Sequence, residues 1–145
     1  LNTVFRQIAF FKFERELHQN RSKGELSEDM INSIWLKTQR ESLGDCVKLD
    51  DNYKYFWAYI PHFIHSPFYV YAYAFGDCLV NSLYSKYEEG ISDFNNKYIE
   101  LLSSGGSQHY QYHLKRFDLD PQKKDFWQLG MNLIKNLIDD LENLG

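Results

Sequence analysis

Residues 53–75 read YKYFWAYIPHFIHSPFYVYAYAF, and eleven of these twenty-three residues are aromatic. Pro61 disfavours the α conformation at Ile60, so we expect the chain to leave helical geometry there. A buried phenol hydroxyl needs a hydrogen-bond partner, which makes tyrosine a costly way to fill a core. We therefore expect some of the tyrosines of this run to line a cleft: Tyr59, Tyr69, Tyr71 and Tyr73.

Helical periodicity is present on both sides of the aromatic run. Capping residues, prolines and glycines set the expected ends of the helices. The predicted helices are residues 1–22, residues 28–43 with Ser27 as N-cap and Gly44 as stop, residues 67–88, a helix capped by Ser92 and ended by Gly105, a short helix opened by Ser107, and a last helix from Pro121 to the end of the chain. The sequence thus predicts an all-α fold, a single compact domain of about six helices over residues 1–145.

Composition and charge argue against several classes of function. The net charge is -4, with both signs interspersed along the chain, so we expect no nucleic-acid partner. The longest apolar stretch, 68–80, is broken by Gly76 and Asp77 and is too short for a membrane span. Two widely spaced cysteines, Cys46 and Cys78, favour free thiols in a reducing compartment, and we expect a cytoplasmic protein.

Two pairs of histidines are candidates for chemistry. His109 and His113 are four residues apart on a predicted helix and could together bind zinc. A hydrolytic zinc site needs a glutamate directly after the first histidine, and this chain has Tyr110 there. Two solvated histidines are therefore the favoured interpretation. His62 and His65 lie at the non-helical joint of the aromatic run. From spacing alone a core histidine is favoured there over an imidazole that donates to a substrate oxyanion.

Longer motifs carry a family resemblance. The segment 56–74, FWAYIPHFIHSPFYVYAYA, closely resembles the C-terminal part of oligoendopeptidase F and its thimet-oligopeptidase-like relatives. Further matches, in the same order along the chain, are Thr3-Val4-Phe5-Arg6-Gln7, Trp35-Leu36 with Gln39-Arg40, and Phe126-Trp127 with Gly130.

The resemblance implies a clam-like helical metallopeptidase with a deep channel that cleaves short peptides in the cytoplasm. In that family zinc is held by an HExxH helix and a downstream glutamate, and this sequence contains no such motif. We therefore expect zinc in the full-length protein and none bound by this chain. The chain would be the C-terminal helical portion of the catalytic domain, inactive alone, with the missing N-terminal portion as its partner.

Family roles are carried over by position. The resemblance assigns stabilisation of the oxyanion to His62 and to Tyr69 or Tyr71, without a choice between the two tyrosines. It assigns substrate contacts to His65, Tyr59 and Tyr73. Many relatives have tyrosine two residues after the histidine, where this chain has Ile64.

Two alternatives stay open. A non-catalytic helical module with the same aromatic cleft would bind or scaffold peptides without cutting them. A zinc site built from His109 and His113 is the weaker alternative. If the chain is part of a longer peptidase, its separation from the catalytic portion would expose an apolar face, which favours self-association.

Overall fold

The computed structural model describes residues 2–144, without the side chain of Cys46. Leu1, predicted to open the first helix, and the Cys46 thiol therefore lie outside the described residues. Within them the chain is helical and contains no strand, which confirms the all-α prediction. The α-helices are α1 (Asn2–Arg21), α2 (Glu28–Leu43), α3 (His62–His65), α4 (Tyr71–Glu88), α5 (Phe94–Ser104), α6 (Tyr110–Leu114) and α7 (Lys124–Asn143). Short 3₁₀ helices cover Gly44–Cys46, Asp51–Tyr59 and Lys115–Phe117.

The chain divides into two compact units, Leu1–Phe75 and Gly76–Gly145, where the sequence predicts one domain. In the first unit α1 packs against α2. Ser27 caps α2 as predicted, its hydroxyl accepting the Met30 N–H at 3.3 Å. The core of this unit combines aromatic and branched aliphatic side chains and includes Phe10, Phe13, Ile34, Trp35, Ile60 and Val70.

Asp50 is the N-cap of the 3₁₀ helix Asp51–Tyr59, and its carboxylate accepts the N–H groups of Asn52 and Tyr53 at 2.9 Å. A 3₁₀ helix has three residues per turn, so side chains three apart lie above one another. Tyr53 and Phe56 accordingly stack with ring centroids 5.3 Å apart, and Phe56 and Tyr59 lie at the same separation. This column of rings leaves Tyr59 at its exposed end.

The second unit is built around the second part of α4 and α7. The Ser82 hydroxyl donates to the carbonyl of Phe126 at 2.9 Å. Gly130 lies against Cys78, so close that a Cβ on Gly130 would be 3.0 Å from the Cys78 carbonyl oxygen. Burial raises the pKa of the Cys78 thiol, and the neighbouring Asp77 carboxylate raises it further. Cys78 is buried, and its thiol is free, as the sequence predicts.

Four predicted helix starts are wrong, each placed too early. The helix expected at Pro67 begins at Tyr71, and the one expected at Pro121 begins at Lys124. In both cases a turn follows the proline before the helix begins. The other two corrections are the helix expected after Ser92, which begins at Phe94, and the one expected at Ser107, which begins at Tyr110.

Candidate functional site

His62 is placed by the break at Ile60. Ile60 is extended, with φ −90° and ψ 99°, and is buried in the core of the first unit. Pro61 then opens α3, a single turn, so the prediction that His62 and His65 lie on a non-helical segment is wrong. Phe63 packs edge-on against Phe10, with ring centroids 5.7 Å apart, and this contact turns the preceding His62 toward the surface.

A tight turn connects α3 to α4 and brings Tyr69 back toward His62. At its centre Phe68 has φ 61°, a left-handed conformation that costs a side-chain-bearing residue about 1–2 kcal/mol. The Phe68 N–H donates to Glu14 Oε1 at 2.7 Å. Val70, fully buried, fixes the other side of the turn in the core.

The turn and the first residues of α4 assemble what we call the His–Tyr cluster: His62, Tyr69 and Tyr73. His62 Nε2 is 3.0 Å from the Tyr73 hydroxyl. The rings of His62 and Tyr69 are parallel within 6°, with centroids 6.1 Å apart. Tyr69 meets Tyr73 edge-on at 5.6 Å, so each ring contacts the other two.

The His–Tyr cluster lies at the surface. Tyr69 is 54% exposed and Tyr73 is 41% exposed, while His62 is half-buried. An imidazole and two phenols are hydrogen-bond donors that carry no fixed charge in their neutral forms. Donors held in a fixed geometry can stabilise an oxyanion that develops on a reacting carbonyl group.

Comparison with known proteins identifies the family. A model of peptidase family M3 matches residues 2–133, which is most of the chain. The chain belongs to peptidase family M3. It is 32% identical over 143 residues to "Oligoendopeptidase F, plasmid" of Lactococcus lactis subsp. cremoris, and 28% identical over 143 residues to "Oligopeptidase PepF" of Bacillus subtilis.

Each of these alignments covers 98% of this chain but only 24% and 21% of the two relatives. The crystal structure of a protein from Chlamydophila abortus, assigned as a peptidase, superposes with a TM-score of 0.86 at 31% identity. That superposition covers 99% of this chain and 24% of the other. The chain thus spans about a quarter of the length of the M3 proteins it matches.

Three of the six predicted site residues come together and three do not. His62, Tyr69 and Tyr73 form the cluster. Tyr71 is two positions from Tyr73 on α4, so it points to another side of the helix and packs edge-on against Phe11 at 5.7 Å. The described structure joins neither Tyr59, at the end of its ring column, nor the exposed His65 to the cluster.

The described residues give no metal site at the second histidine pair. His109 precedes α6 in an extended conformation, and His113 is buried, with no described group hydrogen-bonded to either ring nitrogen. The prediction of two solvated histidines on one helix is therefore wrong. Across residues 2–144 no group of three His, Cys, Asp or Glu residues is placed to hold a metal ion. The described residues therefore do not fit as the ligand set of the zinc that the family resemblance implies.

Glu14 is not among the predicted site residues, although the sequence contains an indication of its role. The residue lies on the apolar arc of α1, one position after Phe13 and three before Leu17, and it is 1% exposed. A carboxylate on a buried face needs a partner there. That anomaly points to a specific contact, which the structure places at the turn beside the His–Tyr cluster.

No helix within residues 2–144 is both long enough and apolar enough to cross a bilayer.

Proposed function

We propose that this chain forms one wall of the substrate channel in a longer M3 oligoendopeptidase that hydrolyses peptide bonds in short peptides. The observation that carries the proposal is the 3.0 Å contact between His62 Nε2 and the Tyr73 hydroxyl, with the parallel Tyr69 ring beside it on an accessible surface. The names of the relatives, oligoendopeptidase F and oligopeptidase PepF, support the activity.

The proposed chemistry of the His–Tyr cluster is hydrogen bonding to the reacting carbonyl group. Attack of water on a peptide carbonyl carbon, with loss of a proton from the water, moves an electron pair onto the oxygen. Collapse of that intermediate breaks the C–N bond, and the departing amine takes up the proton. The His62 imidazole and the Tyr69 hydroxyl would donate to the oxyanion or to the substrate backbone, and the Tyr73 hydroxyl would hold the imidazole in place through Nε2. The geometry supports Tyr69 over Tyr71, because the Tyr71 ring packs against Phe11.

Other parts of the proposal concern the longer polypeptide. It would be cytoplasmic, and this chain would be its C-terminal portion. Zinc would be held there by residues other than those described, and when bound it would activate the attacking water and polarise the carbonyl group. The chain by itself would be inactive for lack of these ligands.

The exposed end of α7 supports the existence of such a partner segment. Phe126, Gly130 and Ile134 are buried on one side of α7, but Leu137 and Leu141, which continue the same stripe, are 63% and 70% exposed. We propose that the remaining part of the peptidase covers these leucines. The fourfold greater length of the M3 relatives supplies the chain that this requires.

Replacement of His62 tests the role of the cluster. In the longer polypeptide His62→Ala should lower kcat by roughly 100-fold, the usual effect of losing an oxyanion donor, while KM changes by less than about threefold. Steady-state kinetics on a short fluorogenic peptide measures both constants.

The matched control is His109→Ala, the same substitution at an exposed histidine of the second unit that has no part in the proposed chemistry. It should behave like the unmodified protein. An equal loss in kcat and in peptide affinity for His62→Ala, or the same loss for His109→Ala, would contradict the proposal. Peptide binding without chelator-sensitive cleavage by the longer polypeptide would instead support the non-catalytic peptide-binding module.

A further inference from the structure

Glu14 is the one acidic side chain that the described structure buries almost completely, at 1% exposure. Removing a carboxylate from water is costly unless it is paired or hydrogen-bonded. Its Oε1 accepts the Phe68 N–H at 2.7 Å, and within residues 2–144 its Oε2 has no hydrogen-bond partner. The contact to Phe68, 54 positions along the chain, is thus the interaction that accounts for an acidic residue at this place.

Phe68 needs such a contact because its backbone is in the left-handed region, with φ 61°. Phenylalanine does not favour this conformation by itself. Two contacts from α1 hold it: the carboxylate of Glu14 on the backbone N–H, and the His18 ring at 4.8 Å from the Phe68 ring. Helix α1 therefore sets the conformation of the turn.

The turn determines where Tyr69 lies. Tyr69 directly follows Phe68, and the reversal of the chain at Phe68 lets the Tyr69 ring lie parallel to that of His62. With Phe68 in an extended or helical conformation, the chain after it would leave in another direction. The position of Tyr69 beside His62 thus depends on the backbone conformation of Phe68, and through it on Glu14.

We propose that Glu14 is a positioning residue that fixes the His–Tyr cluster by locking the Phe68 turn. Its effect on turnover rests on the proposed peptidase function, whereas its effect on the turn does not. The active part of Glu14 in this proposal is the acceptor oxygen. The negative charge is not required.

Substitutions at Glu14 test the effect of its acceptor oxygen separately from the effect of its side-chain packing. Glu14→Gln keeps an oxygen at the position of Oε1, and Glu14→Met keeps the length of the side chain without an acceptor. In Glu14→Met the Phe68 amide should exchange its hydrogen at least about tenfold faster, and kcat of the longer polypeptide should fall about tenfold or more with KM little changed. Because methionine suits a buried site, Tm should not fall in parallel. Glu14→Gln should stay within about threefold of the unmodified protein in both measurements.

A second pair at Phe68 tests the same turn without touching the core of α1. Phe68→Val places a β-branched residue where φ is positive, and Phe68→Gly removes the same ring but permits that φ. We expect the valine variant to lose turnover as Glu14→Met does, and the glycine variant to keep most of it.

Hydrogen exchange of residues 66–71 by mass spectrometry, together with kinetics, decides between the outcomes. Unchanged exchange in Glu14→Met would overturn the proposal, as would a Glu14→Gln variant as impaired as Glu14→Met or a Phe68→Gly variant as impaired as Phe68→Val. If exchange changes as expected but the unmodified longer polypeptide cleaves no peptide, the positioning role stands and the peptidase proposal fails.

Discussion

Tyr53 is a residue whose ionisation is coupled to folding. Its ring stacks on Phe56 and lies 5.8 Å from the Trp35 ring, and its backbone carbonyl accepts the Trp35 indole N–H at 2.9 Å. Burial raises the pKa of the Tyr53 phenol above its usual value of 10.0, and the positive charge of Arg6 offsets part of this rise. The fold therefore favours the neutral phenol.

The raised pKa of Tyr53 predicts a loss of stability at alkaline pH. Below pH 10 the phenol is protonated in both the folded and the unfolded chain. Above pH 10 the unfolded chain releases the proton first, so the free energy of unfolding decreases until the pH passes the folded pKa. Tyr53→Phe keeps the ring contacts and should lose less stability between pH 9 and about pH 11, as measured by urea unfolding.

Tyr59→Phe is the control, because Tyr59 is in the same ring column but at its exposed end. It should follow the unmodified chain across the pH range. If Tyr53→Phe and Tyr59→Phe lose stability equally, the phenol of Tyr53 does not couple to folding.

Helices show clearly which parts of the fold the sequence determines locally. The ends of α2 were predicted correctly, because Ser27 and Gly44 act on neighbouring backbone groups. The predicted start of α4 is wrong because Ser66-Pro67 is also compatible with a turn. The choice of a turn depends on Glu14, far away in sequence, whose carboxylate holds Phe68 in a left-handed conformation.

Two glycines in helices offer a matched test of packing. A methyl group added to Gly76 on α4 would have no described atom within 4 Å apart from the adjoining backbone and chain neighbours of its own helix, whereas one added to Gly130 on α7 would contact Cys78. Gly76→Ala should therefore stabilise the chain by about 0.5–1 kcal/mol, because alanine loses less backbone entropy in a helix.

Gly130→Ala adds the same methyl group but should destabilise the second unit by about 1–3 kcal/mol, since the backbone of Cys78 must move. Thermal or urea unfolding of both variants gives the comparison. A stabilised Gly130→Ala protein would show that α4 and α7 can separate slightly without cost. A Gly76→Ala variant with normal stability but reduced turnover in the longer polypeptide would instead indicate a ligand or backbone close to Gly76.

For the chain as a whole, the sequence predicts the helical class and the family, and three of its six candidate site residues lie together in the His–Tyr cluster. Pattern and motif order were sufficient for the first two, and peptidase family M3 is confirmed. The grouping of His62 with Tyr69 and Tyr73 needed the turn geometry. Tyr59 was placed elsewhere by the threefold repeat of a 3₁₀ helix, although the spacing of Tyr53, Phe56 and Tyr59 contains that repeat.

The exposed leucines of α7 give the last prediction, which concerns association of the whole chain. Leu137 and Leu141 are one turn apart and form an apolar stripe on the outside of the second unit. A stripe of this kind in water favours contact with another apolar surface. Without the remaining part of the peptidase, we expect the 145-residue chain to associate with itself at concentrations of tens of micromolar or above.

Changing both leucines to glutamine should make the chain monomeric without unfolding it, because neither side chain is in the core. Sedimentation equilibrium measures the mass, and circular dichroism checks the helix content. Leu102→Gln on α5 is the control, since Leu102 is similarly exposed, at 64%, but lies on a different helix. In the longer polypeptide the paired glutamine change should lower Tm, because there the stripe is covered. A monomer at all concentrations before any change would contradict the predicted self-association. An unaltered Tm of the longer polypeptide after the paired glutamine change would mean that no part of the peptidase packs on this end of α7.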